Sequence, residues 1–187
     1  MMMNMKTTST SNCISGDAKI PFLKIKKVGV QVKLRTFNDL YDEWNYISET
    51  GRRTKREYIL QRKTRVFDCS SETFEVSRVE EILFCGNKEL FQIQTANGKS
   101  LKLTEDHKIL TKTGFLPVRV AVGLFHNGFN WDIQKDCYVM TIPQNKTKLK
   151  EFSRITKINH AGVEPVYNIS ITHSGNNFVA NEIVVHV

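Results

Sequence analysis

Short segments in which apolar, mostly β-branched residues alternate with polar ones recur along most of the chain, and this pattern predicts β-strands. Polar stretches and turn-forming dipeptides separate them, and one of these dipeptides, Asn97-Gly98, is favoured in tight hairpins. The predicted strands cover residues 19–25, 28–34, 73–84, 90–95, 100–103, 137–142, 155–159, 166–172 and 183–187. The pattern therefore predicts a mainly β protein.

One stretch has helical rather than strand periodicity. Its apolar residues recur three or four positions apart, with acidic and amide side chains on the other faces. Gly51 follows this stretch and is expected to end it. The pattern predicts one amphipathic helix over about residues 38–49, with apolar positions at Phe37, Leu40, Tyr41, Trp44 and Ile47.

Two segments of the chain match each other at an offset of 76 residues. Residues 77–82 and 153–158 both read Ser-Arg, a β-branched residue, two polar residues and Ile. Further matches at this offset are Gly86 with Gly162, Leu90 with Val166, Phe91 with Tyr167 and Ile93 with Ile169. The repeat predicts two copies of a strand, glycine turn, strand unit related by a pseudo-twofold axis.

The composition fits one soluble domain. The chain has 187 residues, of which 40% are hydrophobic, 10% aromatic and 25% charged, values typical of globular proteins. No apolar run approaches the ~20 residues of a membrane span, and residues 1–12 lack the apolar stretch of a secretory signal. We expect a cytoplasmic protein with a flexible flank at residues 1–12 and a single domain at 13–187.

The positive charge is concentrated in one segment. The formal net charge is +8, which by itself suggests an acidic partner such as nucleic acid. Residues 52–65 contain seven Lys or Arg against the single acid Glu57, so this segment carries +6. Aromatic residues are not interleaved through it as stacking platforms would be, and a solvated loop is the favoured interpretation. A basic nucleic-acid-binding β-domain stays open as an alternative.

Three short stretches contain the residues with useful chemistry: 13–17 (Cys-Ile-Ser-Gly-Asp), 104–107 (Thr-Glu-Asp-His) and 177–186 (Asn-Phe-Val-Ala-Asn-Glu-Ile-Val-Val-His). Cys13 follows a polar lead, and its thiol is a candidate nucleophile. Cys69, Cys85 and Cys137 are expected to be small, buried or half-buried hydrophobes. Because no close Cys-x-x-Cys pair is present, no metal site is predicted.

In their order and spacing, these stretches resemble the Hint family, the inteins and related autoprocessing domains. The resemblance runs from Cys13 to Val187 and rests on the Cys-x-x-Gly-Asp opening, the central Thr-x-x-His, the segments 166–169 and 177–181, and His186. It implies a mostly β horseshoe that brings both ends of the domain to one site. It also implies no cofactor, with the domain's own flanking sequences as its substrate.

The resemblance assigns roles to individual residues. Cys13 would attack the Asn12–Cys13 peptide bond in an N-to-S acyl shift, in which a five-membered ring gives the thiol its proximity. His107 would give or share the proton that the departing nitrogen needs, and Thr104 would orient the bond. Asp106 belongs to the same motif and is taken as a supporting residue.

The closing segment departs from the family's pattern. His186 fits the position of the helper histidine, but Val187 stands where the family usually has an asparagine that cyclises on its own carbonyl. The sequence has no residue 188 to act as acceptor. Asn168 stands where an aspartate is expected and Asn176 where a histidine is expected, for which His173 is a candidate substitute. We therefore expect thioester formation at Cys13 and release of residues 1–12, with terminal cyclisation blocked at Val187.

The length between the central motif and the last strands indicates a mini-intein. Residues 111–159 are too few for the homing endonuclease that larger inteins carry. The basic segment 52–65 then suggests either a lost insertion or the point where a split intein divides, with a complementary fragment as partner. A hydrolase that uses Cys13 and His107 on an added substrate is a further alternative, although the sequence indicates no substrate pocket.

Overall fold

The computed structural model describes residues 12–46, 55–145 and 147–187. It is mostly β, as predicted. The strands are β1 (Ile14–Ser15), β2 (Lys19–Ile25), β3 (Val30–Thr36), β4 (Lys63–Asp68), β5 (Thr73–Thr95), β6 (Ser100–Leu103), β7 (Lys108–Thr111), β8 (Gly114–Pro117), β9 (Phe125–His126), β10 (Trp131–Asp132), β11 (Tyr138–Thr141), β12 (Glu151–Ile171), β13 (Asn177–Ala180) and β14 (Ile183–His186). The helices are α1 (Phe37–Asn45), α2 (Lys55–Gln61) and α3 (Val118–Ala121).

Two long antiparallel strands, β5 and β12, form the frame of the molecule. They belong to a sheet whose strands follow the order β13-β14-β7-β11-β12-β1-β6-β5-β4-β2-β3 within the described residues, with β8 added beside β7. The sequence predicted two separate strands at 73–84 and 90–95, and two more at 155–159 and 166–172. In the structure the first two are parts of the continuous strand β5, and the other two are parts of β12. The glycine between each pair of halves does not form a turn. Gly86 and Gly162 have φ of +89° and +81° and lie within continuous strands, because a bulge absorbs that conformation.

The strand register obeys the symmetry that the repeat predicts. Ile82 pairs with Ile169, and Ile93 pairs with Ile158. In the repeat, Ile82 is equivalent to Ile158 and Ile93 to Ile169, so exchanging the two halves converts one pair into the other. Burial follows the same rule, since residues 77–91 and 153–167 have the same sequence of buried, half-buried and exposed positions. The two halves of the molecule are thus related by a pseudo-twofold axis that passes between β5 and β12.

The helices differ from the sequence prediction in number and length. The Thr36 hydroxyl caps α1 by accepting the Asp39 N–H at 3.2 Å, and α1 ends at Asn45, short of the predicted limit. Residues 47–49 lie outside the described residues. The solvated loop expected for the basic segment is wrong for residues 55–65, which form α2 and the start of β4.

The basic helix α2 packs against α1. Ile59 is buried in the core, the Arg56 guanidinium lies 4.6 Å from the centre of the Trp44 ring, and Arg56 Nε donates to the Trp44 carbonyl at 2.9 Å. Residues 52–54 lie outside the described residues. At least one cation of the segment is therefore used in packing rather than presented to a partner.

The short strand β1 positions the start of the domain at its centre. Ile14 pairs with Tyr167 of β12 on one side and with Leu103 of β6 on the other. The last strand, β14, lies beside β7. Since the turn 104–107 connects β6 to β7, it lies between the two ends of the domain. None of the helices in the described segments has the length and apolar character that a membrane crossing requires.

Candidate active site

Thr104 fixes the backbone of Cys13 by contacts on both sides. The Cys13 N–H donates to Thr104 Oγ1 at 3.2 Å, and the Thr104 N–H donates to the Cys13 carbonyl at 3.0 Å. Both residues are buried. These contacts follow from the pairing of Ile14 with Leu103, which sets Cys13 beside Thr104. The peptide bond before Cys13 is consequently held in one orientation.

His107 lies at the end of the same turn, with its backbone N–H donating to the Thr104 carbonyl at 3.0 Å. Its Nε2 atom is 2.9 Å from the His186 carbonyl oxygen. A carbonyl can only accept, so Nε2 carries the proton and Nδ1 has the lone pair. Nδ1 is buried and makes no hydrogen bond of ordinary geometry in the described part of the chain, although the Cys13 backbone lies close enough to act on the ring.

The environment of His107 keeps its ring neutral. The side chain is fully buried, and this burial lowers its pKa to about 4, although the backbone carbonyls of His186 and Cys13 favour the charged form and oppose the shift. At neutral pH the ring can therefore accept a proton at Nδ1 and pass it on. The Cys13 backbone is the group beside it on the N-terminal side.

The Cys13 thiol lies in a pocket that the sequence analysis did not identify. Lys88 Nζ donates to Cys13 Sγ at 3.6 Å, and Cys85 and Ala161 pack against the cluster that Cys13 forms with Leu90 and Val166. A hydrogen bond from Cys85 lowers the pKa of Cys13, as do the charge and hydrogen bond of Lys88, and together they outweigh the effect of burial. Cys85 is half-buried and Cys137 is buried, as predicted, whereas the prediction is wrong for Cys69, which is exposed. The pKa of Cys85 is raised mainly by its hydrogen bond to Cys13.

At the other end of the domain, His186 and Val187 form a second cluster. The Val187 oxygen can only accept, so His186 Nδ1 donates to it, at 2.8 Å. The edge of the Phe115 ring lies against the imidazole, with ring centres 5.1 Å apart. The Val187 N–H donates to the Asn176 carbonyl at 2.7 Å. Asn176 therefore contacts the C-terminal residue through its backbone.

Two further asparagines of the motifs have backbone partners. Asn177 is fully buried, accepts the Phe67 N–H at 2.8 Å and donates to the Phe67 carbonyl at 2.8 Å. It thus ties β13 to β4. Asn168 is buried, and its Oδ1 accepts the N–H of the following Ile169 at 2.7 Å. Since Tyr167 pairs with Ile14, Asn168 lies level with Cys13 along β1.

His173 and Asp106 lie apart from these contacts. His173 Nε2 faces Glu75 at 3.5 Å, and Asp106 forms an exposed ion pair with Arg119 at 2.6 Å. The ligand-type atoms of Asp68, Glu75 and His173 lie within 4.8 Å of one another. However, the Gly175 N–H donates to His173 Nδ1 at 3.0 Å, which leaves the proton on Nε2, so the ring is not prepared to bind a metal there.

This arrangement combines the parts of an intramolecular acyl transfer. It places a thiol whose pKa is lowered next to a fixed peptide bond, together with a neutral imidazole that contacts both the Cys13 backbone and the His186 carbonyl. Of the residues that the sequence motifs predict, the structure brings Cys13 against Thr104 and His107 against His186. Lys88 had no motif to identify it, since an isolated lysine is usually exposed.

The chain was compared with known proteins. No family model and no curated protein sequence matches it. Solved structures do match, each over 94% of this chain. A DnaB intein from Synechocystis sp. PCC 6803 is 21% identical with a TM-score of 0.66 and 97% of its chain covered. The DnaX mini-intein from Spirulina platensis is 20% identical with a TM-score of 0.62 and 100% covered.

A third match is the transcription factor IIB Mvu mini-intein, which is 20% identical with a TM-score of 0.65 and 99% of its chain covered. The similarity thus extends over nearly the whole length of this chain and of each of these structures, without a large insertion in either. The fold is therefore the Hint fold that these mini-inteins share.

Proposed function

We propose that this chain is a self-processing protein-splicing element that reacts first at the Asn12–Cys13 bond. The observation that carries the proposal is the position of His107, whose ring contacts the His186 carbonyl through Nε2 and has the Cys13 backbone on its other side. A single imidazole then serves both ends of the segment that is to be excised. The substrates are the chain's own flanking sequences.

In the first step Cys13 Sγ attacks the carbonyl carbon of Asn12. A C–S bond forms, the C–N bond of the Asn12–Cys13 peptide breaks, and the nitrogen leaves as the α-amine of Cys13. The nitrogen needs a proton to leave, and the lone pair at His107 Nδ1 can take up a proton and deliver it there. Thr104 Oγ1 holds the N–H of the scissile bond at 3.2 Å, so the reacting atoms are fixed before the reaction.

The C-terminal half of splicing is blocked at Val187. An isopropyl side chain has no amide nitrogen, so it cannot cyclise on the carbonyl beside it. His186 Nδ1 donates to the Val187 oxygen at 2.8 Å. With an asparagine at position 187, the same hydrogen bond would polarise the carbonyl that the side-chain amide attacks. We therefore infer that processing stops at the thioester, which water or an added thiol resolves by releasing residues 1–12.

The experiment is incubation of the purified chain with dithiothreitol, followed by mass spectrometry of the intact products. We expect loss of the mass of residues 1–12 and a product that begins at Cys13. Cys13→Ser and Cys13→Ala are the matched controls: serine allows only a slower ester pathway, and alanine allows none. Persistence of the intact chain while Cys13 is shown to be reduced would contradict the proposal.

The same experiment separates this function from a hydrolase acting on added substrates. An intramolecular reaction has a rate that is independent of protein concentration, whereas cleavage of one chain by another accelerates with concentration. Mixing the chain with an isotopically labelled Cys13→Ala chain gives the direct test. Self-processing leaves the labelled chain intact.

A further inference from the structure

Lys88 reaches the reacting sulfur from a strand that none of the sequence motifs includes. Its Nζ lies 3.6 Å from Cys13 Sγ, within the range of a hydrogen bond to sulfur. The other walls of the pocket are the fully buried Leu90 and Val166, with Cys85 and Ala161 beside them. Lys88 is half-buried and Cys13 is fully buried, so the charge of the ammonium acts on the sulfur with less screening by water than between two exposed groups.

Cys137 shows what burial alone does to a cysteine in this protein. Cys13 and Cys137 are both buried, at 0% and 4% exposure. Burial raises the pKa of Cys137 to about 11, whereas the pKa of Cys13 is lowered, first by the hydrogen bond from Cys85 and then by Lys88. The difference between the two thiols therefore comes from the donors around Cys13 and not from their burial.

Glu164 pairs with Lys88 across β12 and β5, but its carboxylate is bound by another lysine. Glu164 of β12 and Asp17 are both held by Lys102, whose Nζ is 2.9 Å from each Glu164 oxygen and 3.2 Å from Asp17 Oδ2. Near Cys13 itself, Asn168 lies level with it along β1 and is uncharged, and the ring of His107 beside the Cys13 backbone is neutral at pH 7. Cys85 and Lys88 of β5 are the side chains that lower the pKa of Cys13.

We propose that Lys88 is a catalytic residue of this site, whose ammonium holds Cys13 Sγ as the attacking thiolate, with the Cys85 thiol as a second donor. The assignment rests on the proposed acyl shift. The thiolate, not the thiol, is the nucleophile. The proton that Sγ loses as the thiolate forms goes to the solvent, and the departing nitrogen takes its proton from His107 after that ring has picked one up at Nδ1 during the reaction. In the tetrahedral intermediate the negative charge moves from sulfur to oxygen, and in the thioester the sulfur is neutral, so Lys88 acts mainly before and during attack.

The test is a pH titration of the chain with ¹³Cβ-labelled cysteine, followed by NMR. Cys13→Ser identifies the Cys13 signal among the four cysteines. In Lys88→Met the inflection of the Cys13 signal moves to higher pH, whereas in Lys88→Arg, which keeps the charge, it stays near that of the parent chain. Lys112→Met removes one charge next to Tyr138, away from the pocket, and leaves the inflection unchanged. An unchanged inflection in Lys88→Met overturns the proposal.

Cys85→Ala is the second variant, and it keeps the proposal testable if Lys88→Met does not fold. Alanine already occupies the neighbouring wall at Ala161, so the pocket can accept it. Loss of the S–H donor moves the Cys13 inflection upward, with Lys88 still present. An inflection that stays in place in this variant removes Cys85 from the assignment.

Dithiothreitol cleavage then links the titration to the reaction. We expect Lys88→Met to lower the cleavage rate at pH 7 roughly tenfold, a usual effect of removing one nearby opposite charge, and to approach the parent rate as pH rises. If the inflection moves but the parent chain never cleaves, the assignment of the thiolate stands and the proposed function fails. If the chain cleaves and the Lys88→Met rate at pH 7 is that of the parent, Lys88 is not catalytic.

Discussion

His107 Nε2 lies 2.9 Å from the carbonyl oxygen of His186, although the two residues are 79 positions apart. This contact fixes the tautomer of His107, because a carbonyl oxygen leaves the proton on Nε2 and the lone pair on Nδ1. The C-terminal strand therefore determines which atom of His107 is available to the N-terminal bond.

The hydroxyl of Thr104 is expected to be essential for cleavage at Asn12–Cys13. In Thr104→Ala the Cys13 N–H loses its acceptor at 3.2 Å, and the scissile bond is no longer held in one orientation. We expect the rate of dithiothreitol cleavage to fall by about a hundredfold. Thr104→Ser keeps the hydroxyl and is the matched control, with a rate near that of the parent chain. Equal rates in the alanine and serine variants would contradict this role.

The buried neutral ring of His107 makes stability depend on pH. Its pKa of about 4 in the folded chain lies below the ordinary value near 6.5 of an exposed histidine, so between these values the unfolded chain binds more protons. Stability is therefore highest above pH 6.5 and is lost as the pH falls toward 4, by on the order of 3 kcal/mol in total. Urea unfolding at pH 7.5, 5.5 and 4.5 measures this loss.

His107→Gln is the control for that titration, since an amide does not titrate. The other histidines and the carboxylates contribute equally to both chains, so the difference between the two stability curves isolates His107. We expect the free-energy difference between the chains to change with pH below 6.5 and to be constant above it. Parallel curves over the whole range would contradict the prediction.

Replacement of Val187 is expected to restore the missing chemistry at the C-terminal end. A chain with Val187→Asn, extended by a serine and a reporter peptide, gains a side-chain amide beside the oxygen that His186 Nδ1 contacts at 2.8 Å. We expect release of the reporter with a succinimide at residue 187, detected by mass spectrometry. The same extended chain with Val187 retained should keep its reporter. Release from both chains would show that another group cleaves this bond.

Asn177 is expected to matter for folding rather than for chemistry. Asn177→Ala removes both of its hydrogen bonds with the backbone of Phe67 and leaves a buried donor and acceptor without partners. We expect the free energy of unfolding to fall by about 3 kcal/mol, measured by urea denaturation. The exposed Asn45→Ala, which loses one surface hydrogen bond to Tyr41, is the control and should change it by less than about 1 kcal/mol. Equal effects would contradict this assignment.

The sequence predicts the local elements of this fold well where side-chain alternation and turn chemistry agree. The strands at 19–25 and 100–103 have their predicted bounds, and Asn97-Gly98 lies in the turn between β5 and β6. The glycines at 86 and 162 were misread because a positive φ is common to turns and bulges. Whether such a glycine forms a turn or a bulge depends on the pairing with the partner strand, which the local sequence does not indicate.

The sequence fails where a residue's role depends on tertiary contacts. α2 was missed because it has few apolar positions, and its packing depends on Trp44 of another helix. Lys88 and Cys85 were missed because no motif or spacing in the sequence around them predicts their contact with Cys13. The motif residues could be found because their order and spacing along the chain are characteristic. Lys88 and Cys85 lower the pKa of Cys13 through tertiary contacts, which the sequence around them does not indicate.

The 76-residue repeat gives the pocket around Cys13 two equivalent sides. Leu90 and Val166, Cys85 and Ala161, and Lys88 and Glu164 are each related by this offset, and all but Glu164 line or contact the pocket. Cys13 therefore has different groups on its two sides. One half of the repeat contributes the Cys85 thiol and the Lys88 ammonium, whereas the other contributes the Ala161 methyl group and Glu164, which is bound by Lys102. The two halves thus have equivalent backbone positions and different charges around Cys13, and only the half that contains Lys88 brings a cation to the nucleophile in the described residues.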